Sequence, residues 1–566
     1  MLTRSLRWCG CSQREDSFVA EITRRNLFKA AGATGLAATV TGLSGSRAWG
    51  APTLWSKPGA TSASTADQVH IAYGADPSAQ MTVSWHTAAS VSRPRLRLGT
   101  VHGGFGREIP AETRSYVDGI NKVETICQHA RAVGLQPSTD YIYEIVADGA
   151  APVQGSFTTA PAGRVPFRFT SVGDIATPNT AWSKSSLNAA TTVHQVEQFN
   201  PLFHLHNGDL SYANVNQASQ PQVWTDFMTN IQGAASHIPW MTALGNHESE
   251  WANGPLGYAS YQARFDLPDN GSRVSGWQGN WYSFQVGSAL FVSLDANDPH
   301  YANDGSNSPT NAAQALYIHG YSHGAQAQWL EKTLAAAHRD PGVDWIIVFF
   351  HQPIISSSSS GAGGDLGIRQ AFLPAIDAYG VDLVLTGHDH DYERSYAVRG
   401  TDPGTAMRPT VVSRNLSSVD ASLGAVHMVI GGGGTSSHDD VYGKDTVGSN
   451  PVYGGDPVAQ VYLDTPADEV YKAVASGSEI ATYSAVRDPD TTHPWGLATF
   501  DLDPGSHAGD KTTIKVTFYH TPAATVANPF PAPVVFDTFT LTKPRGDAPG
   551  RGSVSTRQPA GAGAGA

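Results

Sequence analysis

The sequence reads Thr-Gly-His-Asp-His-Asp-Tyr-Glu-Arg at residues 386–394, directly after the apolar run 381–385. A short run rich in Val and Leu predicts a buried β-strand, which leaves His388 and His390 on the loop at its carboxyl end. Active sites of α/β proteins lie at that end of their strands. Two histidines separated by one residue also suit a purely structural role, so their interpretation depends on the segments upstream.

Four earlier strand-like segments end in the same way. Each is apolar and β-rich, and each is followed by a polar residue that is able to bind a metal ion. These residues are Asp174 after 167–172, Asp209 and Tyr212 after 202–206, Asn246 after 238–244, and His351 after 345–350. A single Gly-Asp pair is ordinary turn chemistry. Five such endings in order predict a shared site.

The candidate ligands form a mixed set of oxygen and imidazole donors without a thiolate. They are Asp174, Asp209, Tyr212, Asn246, His351, His388 and His390. Such donors suit Fe, Mn, Zn or Mg better than Cu(I) or an iron–sulfur cluster. Seven ligands exceed the need of one four-coordinate ion, and a carboxylate such as Asp209 is able to bridge two ions. Two ions about 3.5 to 4 Å apart form a clamp for in-line displacement at phosphorus.

The five segments resemble the ordered sequence blocks of the purple acid phosphatases, a family of calcineurin-like metallophosphoesterases. The blocks are Gly173-Asp174, Gly208-Asp209-Leu210-Ser211-Tyr212, Gly245-Asn246-His247-Glu248, His351, and residues 387–394. The resemblance covers roughly residues 66–435, and it implies two facing mixed β-sheets flanked by helices. Tyr212 is the informative member, because other metallophosphoesterases lack it and its phenolate favours Fe(III) and gives the family its colour.

The resemblance also implies how two metal ions are held. The ferric site comprises Asp174, Tyr212, His390 and a shared Asp209. The site for a divalent ion, Fe, Zn or Mn, comprises Asp209, Asn246, His351 and His388. Metal-bound hydroxide is then the expected nucleophile, and Fe(III) keeps it available in mild acid. His247 is expected to hydrogen-bond the phosphate or to protonate the leaving group, or else to support its neighbour Asn246.

One stretch departs from the family pattern. Well-known plant members carry further substrate-contacting histidines between the last two blocks, whereas residues 352–387 contain none. Serines at 356–360 and a Gly- and Ala-rich run at 361–364 stand there instead, which predicts a flexible loop that serves as a lid or a spacer. Other residues must therefore make the substrate contacts.

The amino terminus predicts export. Arg24 and Arg25 precede the Ala- and Gly-rich run 30–45 and a small-residue cleavage site at 48–50, the order of a twin-arginine signal peptide spanning residues 1–50. The twin-arginine machinery is thus an expected partner, and the expected location is secreted, periplasmic or in the cell envelope. The apolar run is too short and glycine-rich for a membrane span, and none is predicted later. Removal of the signal peptide leaves Cys127 alone, which excludes an intramolecular disulfide.

The remaining chain divides into a β-rich and an α/β part. Residues 51–65 are Pro-, Ser- and Ala-rich and predict a linker. Residues 66–161 resemble a fibronectin type III β-sandwich, with strand-like runs, Trp85 and a corner before Tyr141. The catalytic domain is assigned to residues 165–543. It includes helix-like stretches at 182–199 and 324–338 and a possible insertion at 436–485, and a disordered tail is predicted at 544–566.

Charge and motifs together define the predicted function. The formal net charge of −13 argues against nucleic acid or an anionic membrane as the main partner, so the metal ions must attract a phosphate substrate locally. We expect an exported acid phosphatase that hydrolyses phosphate monoesters. A close alternative uses the same metals on phosphodiesters or nucleotides. A remote alternative is a noncatalytic surface-binding protein in which the metals only stabilise the fold.

Overall fold

The computed structural model describes residues 62–299, 320–357, 363–436, 449–453, 477–487 and 495–547 of the 566-residue chain. The predicted signal peptide and most of the predicted linker, insertion and tail lie outside these ranges. The described chain stays packed past the predicted start of the tail at 544, since Arg545 is 7% exposed. Across the described ranges, no helix is both long and apolar enough to cross a membrane.

An eight-stranded β-sandwich comes first in the described chain. Its strands are β1 (Asp67–Tyr73), β2 (Gln80–Thr87), β3 (Arg95–Thr100), β4 (Gly104–Pro110), β5 (Glu112–Val117), β6 (Glu124–Val133), β7 (Asp140–Val146) and β8 (Val153–Thr158). They form two antiparallel sheets in the orders β1-β2-β6-β5 and β4-β3-β7-β8. The predicted N-terminal sandwich is therefore confirmed.

Alternation of apolar and polar residues builds the core of this sandwich. Leu96 and Leu98 of β3 are buried two residues apart, as a strand with one face on a core requires. Trp85 is also buried. At the predicted corner, the hydroxyl of Tyr141 accepts a hydrogen bond from the backbone N–H of Gln136 at 2.9 Å, which closes the turn before β7.

The α/β part that follows contains two large mixed sheets and two small ones. Its described strands are β9 (Phe167–Val172), β10 (Phe203–His206), β11 (Trp240–Thr242), β12 (Tyr282–Val286), β13 (Ala289–Ser293), β14 (Trp345–Phe349), β15 (Gly364–Asp365), β16 (Leu383–Thr386), β17 (Tyr392–Ser395), β18 (Ala397–Thr401), β19 (Pro409–Ser413), β20 (Ser418–Asp420), β21 (Val426–Ile430), β22 (Ser449–Tyr453), β23 (Gly477–Ile480), β24 (Ser484–Arg487), β25 (Gly496–Asp503), β26 (Lys511–His520) and β27 (Val534–Pro544). Its described α-helices are α1 (Asn188–Phe199), α2 (Gln220–Ala235), α3 (Ala259–Arg264), α4 (Ala325–Arg339) and α5 (Leu366–Ala378).

The two large sheets have seven strands each. Their orders are β11-β10-β9-β25-β26-β27-β20 and β12-β13-β14-β16-β21-β17-β24, and the small sheets are β15-β22-β23 and β18-β19. In the first sheet β9, β10 and β11 are parallel, and in the second β13, β14, β16 and β21 are parallel. The predicted mixed sheets are confirmed.

An aromatic core lies between the two large sheets. Phe169 of β9 and Phe203 of β10 each contact Phe291 of β13, with ring centroids 5.1 and 5.0 Å apart. Phe169 also stacks on Phe500 of β25 at 4.5 Å. Edge-to-face and stacked aromatic pairs add specificity to the area that they bury. This core fixes how the two sheets meet, and so brings the loops at their carboxyl ends together.

Helices cover the outer face of the second sheet. Leu330 and Leu334 of α4 and Phe372 of α5 are buried in a separate apolar cluster with Val292 and Val348 of the sheet. The spacing of four residues between Leu330 and Leu334 places both on one side of α4. The predicted helix at 324–338 is therefore confirmed within one residue at each end.

The helix predicted at 182–199 begins later than expected, at Asn188. Lys184 has a positive φ of 66°, which an α-helix excludes. The backbone N–H of Ser183 donates instead to the side chain of Asn216 at 2.9 Å, and the Ser186 hydroxyl donates to the carbonyl of Gly434 at 2.6 Å. These long-range contacts hold residues before 188 in a loop, so the predicted start was wrong.

A buried ion pair also joins the two large sheets. Lys543 of β27 lies 2.6 Å from both carboxylate oxygens of Asp382, which directly precedes β16. Asp382 also accepts the backbone N–H of Ile346 at 2.9 Å. Burial raises the pKa of Asp382 although Lys543 opposes the shift, so the ammonium compensates only part of the desolvation of the carboxylate.

We expect Lys543→Met to lower the free energy of unfolding at pH 7 by about 3 to 5 kcal/mol, because it leaves the carboxylate of Asp382 buried without its counter-charge. The loss should shrink as the pH falls, since a raised pKa allows Asp382 to take up a proton and become neutral. Urea unfolding at pH 7 and pH 5 measures both effects. The double variant Lys543→Met/Asp382→Asn should regain part of the loss. A deficit that does not depend on pH would contradict this explanation.

Candidate metal centre

The structure brings all seven predicted ligands together. Asp174 follows β9, Asp209 and Tyr212 follow β10, and Asn246 follows β11 in the first sheet, whereas His351 follows β14 and His388 and His390 follow β16 in the second. All except His388 are buried. Because carboxyl ends of parallel strands lie at one edge of a sheet, the facing of two such edges creates one cluster from five distant segments.

Three donor atoms form a first set. The hydroxyl oxygen of Tyr212 lies 2.8 Å from Oδ1 of Asp174 and 3.0 Å from Nε2 of His390. Nε2 of His390 lies 3.3 Å from Oδ1 of Asp174. Adjacent ligand atoms that each lie about 2.1 Å from one ion are about 3 Å apart. The spacing of this set therefore fits a single metal ion.

Four further donor atoms form a second set. Nε2 of His351 lies 2.9 Å from Oδ2 of Asp209, 3.1 Å from Oδ1 of Asn246 and 3.2 Å from Nδ1 of His388. Oδ1 of Asn246 lies 3.0 Å from Nδ1 of His388. Nε2 of His351 is also 4.0 Å from Oδ1 of Asp174, which places the two sets side by side. This set has the spacing of ligands around a second ion.

The pKa shifts of two of these residues indicate that positive charge stabilises the cluster. Burial alone would lower the pKa of His351, but the Asp209 and Asp174 carboxylates outweigh it and raise the pKa to about 9. Burial, followed by the charges of Asp174 and Asp209, raises the pKa of Tyr212 well above its usual value. Without a cation the imidazole thus keeps its proton, and the phenol donates its own to Asp174. Metal ions displace such protons when they bind.

A backbone hydrogen bond orients His351 for this role. Nδ1 of His351 lies 2.8 Å from the carbonyl oxygen of Asn207, so Nδ1 carries the hydrogen and donates it. Nε2 is then the atom that faces the other donors. Metal-binding histidines commonly use their second nitrogen in this way, because the bond fixes both the tautomer and the plane of the ring.

Glu248, to which the sequence assigned no role, holds in place the two loops of the first sheet that carry Asp209 and Asn246. Its carboxylate accepts the backbone N–H groups of Asp209 at 2.9 Å, Leu210 at 2.8 Å and Gly245 at 2.8 Å. Burial first, and the charge of Asp209 second, raise the pKa of Glu248 to about 8. The loops that carry Asp209 and Asn246 therefore share one acceptor. No local pattern predicts this, because two of the donors lie almost 40 residues earlier in the chain.

Backbone conformation and close packing shape the loops as well. Asp174, Asp209, Tyr212 and His388 all have positive φ angles, between 52° and 72°. Non-glycine residues rarely adopt this region, and those that do cluster at functional sites. Gly245 is required for space, because a Cβ atom there would lie 2.2 Å from Oδ1 of Asp209. The carboxylate of Asp209 can approach the backbone at residue 245 only because glycine has no side chain there.

His247 stands beside the two sets with part of its ring open to solvent. Its backbone N–H donates to Oδ1 of Asp209 at 2.8 Å, and its ring packs on Tyr212 with centroids 4.3 Å apart. Nδ1 lies 2.6 Å from Oδ1 of Asn214. Nε2 lies 3.8 Å from Oδ2 of Asp209, and the side chain is 17% exposed. Burial lowers the pKa of His247 to about 4 despite the opposing charge of Asp209.

Comparison with known families agrees with this geometry. Residues 167–392 match the family described as calcineurin-like phosphoesterase, and residues 66–159 match the purple acid phosphatase N-terminal domain. The chain belongs to the purple acid phosphatase family of calcineurin-like phosphoesterases, and it is a hydrolase. That family uses a binuclear metal centre, to which the residues brought together here correspond in kind.

Individual relatives extend over most of the chain. The uncharacterized protein Rv2577 of Mycobacterium tuberculosis H37Rv is 41% identical over 552 residues, which cover 94% of this chain and 98% of the relative. Purple acid phosphatase 18 of Arabidopsis thaliana is 29% identical over 378 residues, which cover 66% of this chain and 72% of the relative.

Solved structures share the fold at lower identity. Purple acid phosphatase PPD1 from yellow lupin seeds superposes with a TM-score of 0.58 at 19% identity, covering 85% of this chain and 74% of the lupin chain. A structure of PhoD gives a TM-score of 0.51 at 13% identity, covering 86% of this chain and 92% of that chain. At these identities the likeness concerns the fold alone.

We expect Glu248→Gln to weaken metal binding by about 10-fold to 100-fold, because the amide NH₂ group cannot accept a hydrogen bond and leaves at least one backbone N–H without its acceptor. Competition with a chelating dye measures the affinity.

Glu250→Gln provides the matched control two residues along. The carboxylate of Glu250 is buried as well, but its partners are the side chains of Trp224 and Asn253. This variant should change the melting temperature without changing metal affinity. Equal metal affinities of the two variants would contradict the role assigned to Glu248.

Proposed function

We propose that this protein is an exported acid phosphatase that hydrolyses phosphate monoesters at a binuclear centre of Fe(III) and a divalent ion. One observation carries the proposal: the donor atoms separate into two sets, and only one of them includes a phenol. A phenolate is a hard anionic donor, whereas the second set is dominated by imidazole. Two sets that differ in their donor atoms suit two different metal ions better than they suit two ions of the same kind.

The chain's own residues divide between the two ions. Asp174, Tyr212 and His390 would hold Fe(III), Asn246, His351 and His388 would hold the divalent ion, and Asp209 would serve both. When bound, the ions supply Lewis acidity, which acidifies water and offsets the negative charge that develops on the phosphate. The protein adds rigidity, because every loop that carries these residues is fixed by backbone hydrogen bonds or by tight packing.

His247 is the group placed to act on the substrate itself. Its side chain is 17% exposed, whereas that of His351 is fully buried, and its Nε2 lies 3.8 Å from Oδ2 of Asp209. A phosphate ester bound over the cluster would meet this nitrogen. Because burial lowers the pKa of His247 to about 4, the ring is largely neutral in mild acid and Nε2 would hydrogen-bond a protonated phosphate oxygen, and only the fraction with a second proton could protonate the leaving alcohol. A net charge of −13 gives an anionic substrate no general attraction, so binding depends on these local groups.

Export rests on the sequence alone. The paired Arg24 and Arg25, the apolar run 30–45 and the small residues at 48–50 support passage through the twin-arginine machinery to the periplasm, the cell envelope or the medium. This route carries folded proteins, which agrees with a site that needs metal ions and a completed fold before it exists.

The substrate class is tested by comparing 4-nitrophenyl phosphate with bis(4-nitrophenyl) phosphate from pH 4 to pH 9. We expect faster turnover of the monoester, with an optimum in mild acid. Asp209→Asn should lower kcat by about 100-fold or more, because the metal ions contribute several kcal/mol to the reaction and this residue would contact both. Preference for the diester would overturn the proposed substrate class. Full activity of a folded Asp209→Asn variant would overturn the proposed centre.

The metal assignment is tested by elemental analysis together with a visible spectrum. We expect about one iron per chain and a charge-transfer band. Tyr212→Phe, which removes only the phenolic oxygen, should abolish the band while the far-ultraviolet circular dichroism stays unchanged. Tyr258→Phe is the matched control, because Tyr258 is a buried tyrosine whose hydroxyl contacts Asn297 at 2.9 Å rather than a donor of the centre. An active wild-type enzyme without iron and without colour would contradict the ferric site.

A further inference from the structure

Asn297 connects two loops that each carry a candidate ligand of the second set. It lies in the loop after β13, and it is 1% exposed. Its Nδ2 donates to the carbonyl oxygen of Gly245 at 2.9 Å, and its Oδ1 accepts from Nε2 of Gln352 at 2.7 Å. Gly245 directly precedes Asn246, and Gln352 directly follows His351. One side chain therefore joins the loop after β11 in the first sheet to the loop after β14 in the second.

The partners of Asn297 require an amide at this position. A carbonyl oxygen only accepts, so the NH₂ group must face Gly245. The second hydrogen of that group is directed to the hydroxyl of Tyr258 at 2.9 Å. The backbone N–H of Asn297 donates to Oδ1 of Asp295 at 3.0 Å, which also holds the main chain in place. Neither a carboxylate nor an apolar side chain provides two donors and an acceptor together.

The peptide groups of Gly245 are held from two directions. Its N–H donates to Glu248 at 2.8 Å, and its carbonyl accepts from Asn297. Glu248 belongs to the first-sheet loops and orders them among themselves, whereas Asn297 follows a strand of the second sheet. Asn297 thus relates Oδ1 of Asn246 to Nε2 of His351, two donor atoms that lie 3.1 Å apart.

The first set of donors lies on other segments. Asp174, Tyr212 and His390 follow β9, β10 and β16, whereas the contacts of Asn297 reach the loops after β11 and β14. Asp209, which would serve both ions, is held by Glu248 through its backbone N–H at 2.9 Å. A change at Asn297 should therefore act on the second set before it acts on the first.

We propose that Asn297 is a positioning residue that sets the distance between Asn246 and His351, and with it the affinity of the second set for its divalent ion. This inference rests on the proposed function, because it presupposes a centre of two ions. Without the amide, each loop keeps its ligand, but the two loops are no longer joined at this point. Binding must then also bring the ligands to the correct spacing, which weakens it.

The test measures the binding of Zn²⁺ to full-length protein that retains its iron. The divalent ion is first removed by dialysis against a chelator, and Zn²⁺ is then titrated in competition with a chelating dye. Asn297→Ala should weaken Zn²⁺ binding by about 10-fold to 100-fold, because it removes the support of two ligand-bearing loops. Iron content and the visible band, measured on the same samples, should stay at the wild-type values.

Gln352→Leu tests the same connection from the second sheet. It replaces a fully buried amide by an apolar side chain and removes the donor to Oδ1 of Asn297. Zn²⁺ binding should again weaken while iron content does not change. The double variant Asn297→Ala/Gln352→Leu should bind Zn²⁺ about as weakly as Asn297→Ala alone, because both changes break one connection and their effects are then not additive.

Asn280→Ala is the matched control for loss of a buried amide. Asn280 is also 1% exposed, and it makes the same three kinds of contact: its Nδ2 donates to the carbonyl of Gly276 and to the hydroxyl of Tyr321, both at 3.1 Å, and its Oδ1 accepts from Gln262 at 2.9 Å. None of these partners adjoins a candidate ligand. Asn280→Ala should lower the melting temperature but keep the Zn²⁺ affinity within about twofold of the wild type, since distant sites act independently.

The outcomes distinguish this inference from the function beneath it. A wild-type protein that binds only one metal ion per chain overturns the proposed centre and this role with it. A wild type with two ions whose Asn297→Ala variant loses iron and Zn²⁺ equally, or loses neither, overturns the positioning role alone. Losses of the two single variants that multiply in the double variant do so as well. Where Asn297→Ala does not fold, Gln352→Leu decides, and wild-type Zn²⁺ affinity in that variant overturns the role. Selective and non-additive loss of Zn²⁺ affinity supports it.

Discussion

Burial of several negative or potentially negative groups in one place is the constraint on which the rest of the structure depends. Burial first, and the charge of Asp209 among the lesser causes, raise the pKa of Asp174, while nearby histidines hold the pKa of Asp209 far below its usual range. Tyr212 completes the cluster with its hydroxyl on Asp174. Removing such groups from water is costly unless positive charge stands among them. The polypeptide supplies imidazoles, and two cations would supply the remainder.

The loops that carry these groups are held rigid, each at a different point. Glu248 gathers three backbone N–H groups, the carbonyl of Asn207 orients His351, and Gly387 leaves room for a carboxylate, since a Cβ there would lie 2.4 Å from Oδ2 of Asp174. Glu248, Asn207 and Gly387 each act on a segment that carries a candidate ligand, and none of the three is itself a candidate ligand. A site built on such support keeps its geometry before any ion arrives, which reduces the reorganisation that binding requires.

The N-terminal sandwich also contributes to this rigidity. Asp266, which follows α3, accepts hydrogen bonds from Arg131 of β6 at 2.7 Å through both carboxylate oxygens and from Arg114 of β5 at 2.7 Å. A second contact joins the sandwich to the 3₁₀ segment after Tyr212, where Nδ2 of Asn121 donates to the carbonyl of Gln217 at 3.2 Å. The β-sandwich thus supports the catalytic domain near the candidate metal centre.

The sequence by itself determined the class of fold and the membership of the candidate cluster, because each ligand follows an apolar strand and that pattern is local. It could not determine the start of α1 at Asn188, the acceptor role of Glu248 or the contact of Asn214 with His247. Each of these depends on hydrogen bonds between segments distant in the chain, and such bonds exist only after the two sheets have packed. Tertiary structure alone therefore decided the distances between the donor atoms and the orientations of the histidine rings.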